Sequence, residues 1–278
     1  MRFTKMEGLG NDYIYVNCME ESVADPAGTA RKISDRHFGV GSDGLVMIQP
    51  GGDDYDFEMR MFNSDGSEAE MCGNASRCVA KYVHDRGLTD KREIRLKTGA
   101  GIRILKLKTE NGKTVSVRVD MGRPRLRPEE IPTTLEGESI IARTVSCGGM
   151  ELKLTCVSMG NPHAVAFVED AEHFDVRGIG PAFETCSCFP ARTNVEFATV
   201  TGRGEIRMRV WERGAGETMA CGTGACATLA AAVLNGLTDR KASLRLNGGT
   251  LEIEWDEETG HIFMEGPAEF VFDGEWPV

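Results

Sequence analysis

Half of this 278-residue chain repeats the other half. With residue n placed against residue n + 149, Met59-Arg60 falls on Met208-Arg209, Glu68 on Glu217, and Cys72-Gly73 on Cys221-Gly222. Gly87-Leu88-Thr89-Asp90 falls on Gly236-Leu237-Thr238-Asp239, giving nine identities in the 33 gap-free positions from Glu58 to Asp90. Gly10-Asn11 also matches Gly160-Asn161, at an offset of 150. An offset this long marks a duplicated domain rather than a short-period solenoid. Whatever one half folds into, the other must fold into as well.

The two copies read alike. Phe57, Met59 and Met61 alternate with Asp56, Glu58 and Arg60, as Ile206, Met208 and Val210 alternate with Glu205, Arg207 and Arg209, which predicts a strand in each. The loops NSDGSEAE and ERGAGETM follow, and then a helix. In the first copy Ala75, Cys78, Val79, Tyr82 and Val83 lie on one helical face, and Gly87 suits the residue just past its end. The second helix, through LAAAVLNG, is apolar all round and is expected to be buried. IRILKL, VSVRVDM, ELKLTCVSM, NVEFATV, LEIEW and HIFMEG read as further strands, and the Pro-rich Gly122–Thr134 stretch as the crossover between halves. The expected fold is α+β: two pseudo-symmetric domains, each a strand-rich, barrel-like sheet around a central helix, with the active site in the cleft between them. The domains are expected over residues 1–119, with about 267–278 returning to the first, and 120–266.

A net charge of −11 argues against a nucleic-acid partner, which would want a basic patch. MRFTKMEGLGND breaks into Gly, Asn and Asp before an apolar leader segment could form. The most membrane-like run, Ala220–Leu237, is built from Ala, Gly and Thr and reads as a turn plus a buried helix. Nine cysteines, an odd number, are expected to be reduced thiols in a cytoplasmic protein, most of them small buried hydrophobes. The spacings Cys72-x5-Cys78, Cys186-x-Cys188 and Cys221-x4-Cys226 form no pair of zinc knuckles, so no metal is expected.

Cys72 and Cys221 are each expected just before the first turn of a helix, where unpaired N–H groups and the helix dipole can lower a thiol's pKa and hold a carboxylate. Gly73, Gly222 and Gly224 would let the backbone approach a ligand. Duplication gives this placement chemical meaning. Inverting a stereocentre by proton transfer needs a base on one face of a carbon and an acid on the other, and a doubled half-site supplies both. Two other readings stay open at this point: buried helix-start cysteines inherited from the duplication, and a redox pair.

With MCGNASR, ERGAGETMACGTGA, GNPHAV and NSDGSE all present, the sequence resembles the diaminopimelate epimerases, from GLGNDY at its start to HIFMEGPAEFVFDG near its end. These are cofactor-independent enzymes that interconvert LL- and meso-diaminopimelate on the route to lysine and peptidoglycan. The resemblance implies Cys72 and Cys221 as the catalytic acid/base pair. It implies Gly73, Asn74, Gly222 and Thr223 around the reacting carboxylate, and Asn11, Asn63, Asn161, Asn194 and Arg213 on the remaining polar groups of the substrate. It places His163 and Glu212 where the thiol pKa values are tuned, with Glu212 also able to accept from an ammonium group. It implies a homodimer, and no cofactor, neither pyridoxal phosphate nor metal. Related proline racemases typically have His after the first Cys-Gly, where this chain has Asn74.

There are two departures. Gly44 stands where many members have a Gln that lines the substrate site, and Ala75 where Gly is commoner. GVGSDG also fits GxGxxG, but LVMI after it reads as a strand, which argues against a dinucleotide site. Besides the epimerase, two functions remain open on the sequence: a racemase of the same fold acting on proline or another amino acid, and a non-catalytic thiol-redox or ligand-binding protein.

Overall fold

A computed structural model describes residues 1–277, and the chain divides into two compact units. The first comprises Met1–Asp120 together with the chain from Glu265 onward, and the second is Met121–Met264. In order, the first unit contains β1 (Arg2–Gly8), β2 (Asn11–Asn17), α1 (Pro26–Ile33), β3 (Gly44–Pro50), β4 (Phe57–Asn63) and β5 (Glu68–Ala69). Then come α2 (Gly73–Asp85), β6 (Glu93–Thr98), β7 (Gly101–Glu110) and β8 (Lys113–Asp120). The second contains β9 (Arg143–Cys147), β10 (Met150–Ser158), β11 (Pro162–Phe167), α3 (Val176–Glu184), β12 (Asn194–Gly202), β13 (Glu205–Glu212) and β14 (Gly216–Glu217). It continues with α4 (Gly222–Leu234), β15 (Lys241–Leu246) and β16 (Gly249–Trp255). β17 (Ile262–Gly266) leads back toward the first unit, where β18 (Glu269–Glu275) lies.

Pairing shows that the duplication runs far beyond the 33 aligned positions. In the first unit β1 is antiparallel to β2, β2 parallel to β3, β3 antiparallel to β4, β4 parallel to β6, and β6 antiparallel to β7. The second repeats this order with β10, β11, β12, β13, β15 and β16. Even the outermost strands correspond, β18 on β1 and β9 on β10, each antiparallel. The helices correspond too. α1 packs on β3 and β4, and α3 on β12 and β13, while α2 lies against β1, β7 and β8 and α4 against β10, β12 and β16.

The central helices are enclosed. Every residue of α2 from Gly73 to Val83 is buried, and so is α4 from Gly224 to Ala232. The single apolar face expected of the first helix is therefore too narrow a picture. Its polar side is also covered, because strands surround it, and the buried cations find acceptors there. The Arg77 guanidinium donates to the Pro267 carbonyl and to Asn74 Oδ1, both at 2.9 Å, and Lys81 Nζ donates to the Thr114 carbonyl at 2.6 Å. Gly87 and Gly236 follow the two helices with φ of +74° and +70°, a conformation that favours glycine. Ala220–Leu237 holds the buried α4, and no helix among the described residues is long and apolar enough to cross a membrane. After GVGSDG the chain enters β3, a strand as expected.

The expectation of reduced cysteines needs correction at one pair. Cys147, at the end of β9, is joined to Cys186, just past α3, with their Cα atoms 6.1 Å apart. The fold brings them together inside a core of Ile131, Leu154, Phe183, Val195 and Phe197. Their separation of 39 residues gives no hint of it in sequence. Closing a loop of that length restrains the unfolded chain by about 4 kcal/mol in the entropic account, and measured values commonly fall to about 2. Reductant is therefore expected to lower the unfolding free energy by about 2–4 kcal/mol, seen as a lower urea midpoint with a somewhat steeper slope, because the released unfolded chain exposes more surface. A Cys186→Ala variant should have the lower midpoint with or without reductant.

At the end of α2, burial pushes the Asp85 carboxyl up, but contacts with His84, Thr114 and Lys81 outweigh it and lower the pKa to about 2. Oδ1 accepts from the Thr114 N–H and hydroxyl, both at 2.9 Å, and Oδ2 pairs with Lys81 at 3.1 Å, tying the helix end to β8. A folded-state pKa below the unfolded one gives stability that is complete above about pH 4 and is lost as pH falls toward 2. Between those pH values wild-type stability should fall more steeply than that of Asp85→Asn, as urea titrations at each pH would report.

Candidate active site

Both cysteines of interest occupy the residue immediately before a central helix. Cys72 precedes α2 with φ/ψ of −138°/122°, and Cys221 precedes α4 with −123°/110°. In each copy an antiparallel pair of strand segments, β4–β5 or β13–β14, delivers the chain to the helix start.

Around Cys72 the side chains form an oriented network. The thiol donates to Asn11 Oδ1 at 3.4 Å, and Asn74 Nδ2 donates to the same oxygen at 3.4 Å. Asn11 Nδ2 in turn donates to Asp43 Oδ2 at 2.7 Å. A carboxylate can only accept, so Asp43 fixes which end of the Asn11 amide faces the sulfur. Asp43 also accepts from the Asp12 N–H and from Arg36, which bridges to Asp12. Burial and the neighbouring Asp12 raise its pKa. Sequence reasoning missed Asp43. Its signal lay inside GVGSDG, which was weighed only for its glycines. Asn63 ends β4 opposite Gly44, and its amide donates to Ser67 Oγ at 3.0 Å.

The two departures have structural accounts. A Cβ on Gly44 would lie 2.1 Å from the Phe62 carbonyl and 2.8 Å from the Tyr13 ring, so no side chain fits and a contact from this position is closed off. Ala75 is buried in α2, where a methyl group is accommodated.

Around Cys221 the network is longer. Sγ accepts from the Gly224 N–H at 3.4 Å and lies 3.5 Å from the Thr223 hydroxyl. Asn161 Nδ2 donates to Thr223 Oγ1 at 3.2 Å. Asn161 Oδ1 lies 3.1 Å from His163 Nε2, and His163 Nδ1 lies 2.7 Å from Glu196 Oε1. Glu212 accepts from the Thr218 hydroxyl at 2.5 Å and is held beside the Cys221 thiol. Asn194 donates to the Pro162 carbonyl and accepts from the Arg213 N–H, whereas the exposed Arg213 side chain reaches the Ala191 carbonyl at 3.1 Å. Asn161, His163, Glu212 and Thr223 thus gather at Cys221, while Asn194 and Arg213 form a neighbouring group. Glu196 is the second residue that sequence reasoning missed, because it was read only as part of a strand.

The electrostatics reverse one expectation. A helix N-terminus was expected to lower a thiol's pKa, but Cys221 is pushed well above the usual range. Burial is the largest cause, followed by the carboxylates of Glu212 and Glu196, and the Gly224 N–H and Thr223 offset only part of it. Burial likewise raises Glu212. Two adjacent acids with raised pKa values can pass a proton between them. Among the described residues no cluster of three or more His, Cys, Asp or Glu is arranged to hold a metal ion.

Comparison with known proteins identifies the fold and the family. Solved structures with the same fold include a probable proline racemase from Agrobacterium radiobacter K84, at TM-score 0.72 and 15% identity over 100% of this chain and 93% of that one. A Bacillus anthracis phenazine biosynthesis protein of the PhzF family has TM-score 0.72 and 16% identity, covering 100% and 99%. Sequence relatives are much nearer. Diaminopimelate epimerase of Acetivibrio thermocellus is 59% identical over 275 residues, 99% of this chain and 98% of its own. That of Methanococcus maripaludis strain S2 is 55% identical over 99% of both chains. The family model for diaminopimelate epimerase matches residues 3–127 and 155–271, and the chain belongs to the diaminopimelate epimerase family.

Proposed function

We propose that this protein interconverts LL- and meso-diaminopimelate by a two-base mechanism in which Cys72 and Cys221 act on opposite faces of one α-carbon. The observation that supports this most directly is the recurrence, in both halves of a duplicated fold, of a cysteine immediately before an enclosed helix. Full-length identity to diaminopimelate epimerases selects the substrate.

Removing an α-proton leaves charge that spreads into the carboxylate. N–H groups at a helix start, here with Asn74 and Thr223 beside them, are suited to hold that carboxylate and its growing charge. The hydrogen bonds favour a division of labour. Cys72 donates to Asn11, which stabilises the thiol that gives a proton. Cys221 accepts from Gly224 and has Thr223 at hand, which favours the thiolate that takes one. In the forward step Glu212 accepts the Cys221 proton, the thiolate removes the α-hydrogen, and the Cys72 thiol delivers its own proton to the opposite face. When product leaves, solvent returns a proton to Cys72 and takes one from Glu212, and the reverse reaction exchanges the roles of the two cysteines. The substrate's ammonium group would offset the carboxylates that hold Cys221 protonated, so that the base forms when substrate binds. Asn11, Asn161, Asn194 and Arg213 supply the remaining polar contacts, with Arg213 suited to a carboxylate. Neither pyridoxal phosphate nor metal enters this scheme, and a cytoplasmic homodimer serving lysine and peptidoglycan precursor synthesis completes it.

In D2O, LL-diaminopimelate should acquire deuterium at its α-carbon as the meso isomer appears, followed by mass spectrometry and a chiral assay under reductant. Cys72→Ala and Cys221→Ala should each lose epimerisation by at least about a thousandfold. A Cys72→Ala enzyme working at the normal rate would overturn the two-base reading. Glu212 provides a second test, with opposite signs in two assays. Glu212→Gln removes a carboxylate that raises Cys221, so alkylation of Cys221 by iodoacetamide at neutral pH, mapped by peptide mass spectrometry, should speed up severalfold. Epimerisation should slow by about a hundredfold or more, because the proton acceptor is gone.

A further inference from the structure

Glu196 has features of a residue kept for more than packing. It lies in β12, opposite Val165 of the parallel β11, and its side chain is fully buried along with that of His163 two residues earlier in β11. Oε1 is bound by His163, whereas Oε2 has no hydrogen-bond partner among the described residues. Burying a carboxylate with one oxygen unsatisfied is expensive. The fold also makes room for it. A Cβ on Gly224, in the first turn of α4, would lie 2.7 Å from Glu196 Oε1, so glycine is needed there to admit the carboxylate beside Cys221.

We propose that Glu196 is a positioning residue for Cys221, acting through His163, Asn161 and Thr223. The inference rests on the epimerase reading for its kinetic consequence but not for its geometry. An ionised carboxylate only accepts, so His163 Nδ1 carries the hydrogen shared with Oε1. Asn161 gives its Nδ2 hydrogens to Thr223, and its Oδ1 therefore accepts from His163 Nε2–H. His163 thus donates in both directions, to Glu196 through Nδ1 and to Asn161 through Nε2. Thr223 Oγ1 is already an acceptor from Asn161, which leaves its own hydrogen for Cys221 Sγ at 3.5 Å. Every bond from His163 outward then runs the same way and ends as a donor on the sulfur. Glutamine at position 196 carries an amide that can donate as well as accept, so His163 is no longer held as a donor on both sides. The ring can then accept at Nε2, which turns the Asn161 amide over and draws the Thr223 hydrogen away from the sulfur.

The test combines a double-mutant cycle with NMR of the free enzyme. Glu196→Gln should fold with unchanged near-UV circular dichroism, lower kcat at least tenfold and change KM less than threefold. In a His163→Asn background the same substitution should change kcat no more than about threefold, because the connection through His163 is already cut and only the direct effect of the Glu196 charge on Cys221 remains. With 15N-labelled histidine, wild type should show a low-field ring-proton signal that is absent from both His163→Asn and Glu196→Gln. Equal losses in the two backgrounds, an unchanged kcat in Glu196→Gln, or persistence of that signal in Glu196→Gln would each overturn the proposal. If wild type fails to epimerise diaminopimelate, the functional reading falls and the NMR arm still decides the role of Glu196.

Discussion

A helix enclosed by strands has nowhere to send its unpaired ends. The first N–H groups of α2 and α4 cannot simply be left to water, and in both units the residue placed at that point is a cysteine. Serine, threonine or aspartate would cap more strongly. Cys221 does cap, but weakly, through a sulfur 3.4 Å from the Gly224 N–H. A weak cap leaves the sulfur available for chemistry and the remaining N–H groups available for a carboxylate. The rest of each unit can be read as the support that keeps this start buried, oriented and polar.

The two halves use the same frame and opposite polarity. In the first unit Arg77, which only donates, and Asp43, which only accepts, fix Asn74 and Asn11. What meets the Cys72 sulfur is an oxygen acceptor. In the second, Asn161 occupies the place of Asn11 and Thr223 that of Asn74, and the Cys221 sulfur meets an N–H and a hydroxyl as well as the Glu212 carboxylate. Gene duplication alone would give two equal thiols. The substitutions around them give one sulfur an acceptor and the other donors, an asymmetry that the proposed inversion of a stereocentre would use.

The sequence disclosed the frame well because strand alternation and the 149-residue offset are backbone-scale signals. The strands named from IRILKL through HIFMEG all form, and so do the two helices after Cys72 and Cys221. What stayed hidden acts at the scale of single side chains across long separations. Cys147 and Cys186 meet only because β9 and the end of α3 share a core. Arg77 and Lys81 read as the solvent side of an amphipathic helix until strands are placed on that side. Asp43 and Glu196 matter through a neighbour rather than through a motif. The matched cysteines themselves were legible, but the direction of the Cys221 shift was not, since burial and two carboxylates are properties of the packed site.

That shift and the donors at the Cys221 sulfur pull in opposite directions, and the conflict is informative. Hydrogen bonds from Gly224 and Thr223 favour a thiolate, whereas desolvation and the negative charges of Glu212 and Glu196 disfavour it. A site built only to hold a thiolate would omit the carboxylates, and one built only to hold a thiol would omit the donors. Both together make a cysteine whose charge depends on what enters beside it. On the proposed mechanism a substrate ammonium group would cancel the repulsion and leave the donors, so that proton transfer to Glu212 would become favourable once an α-carbon is in place. Without substrate the upward shift favours Cys221 as a thiol, which is less reactive toward oxidants and electrophiles than a standing thiolate.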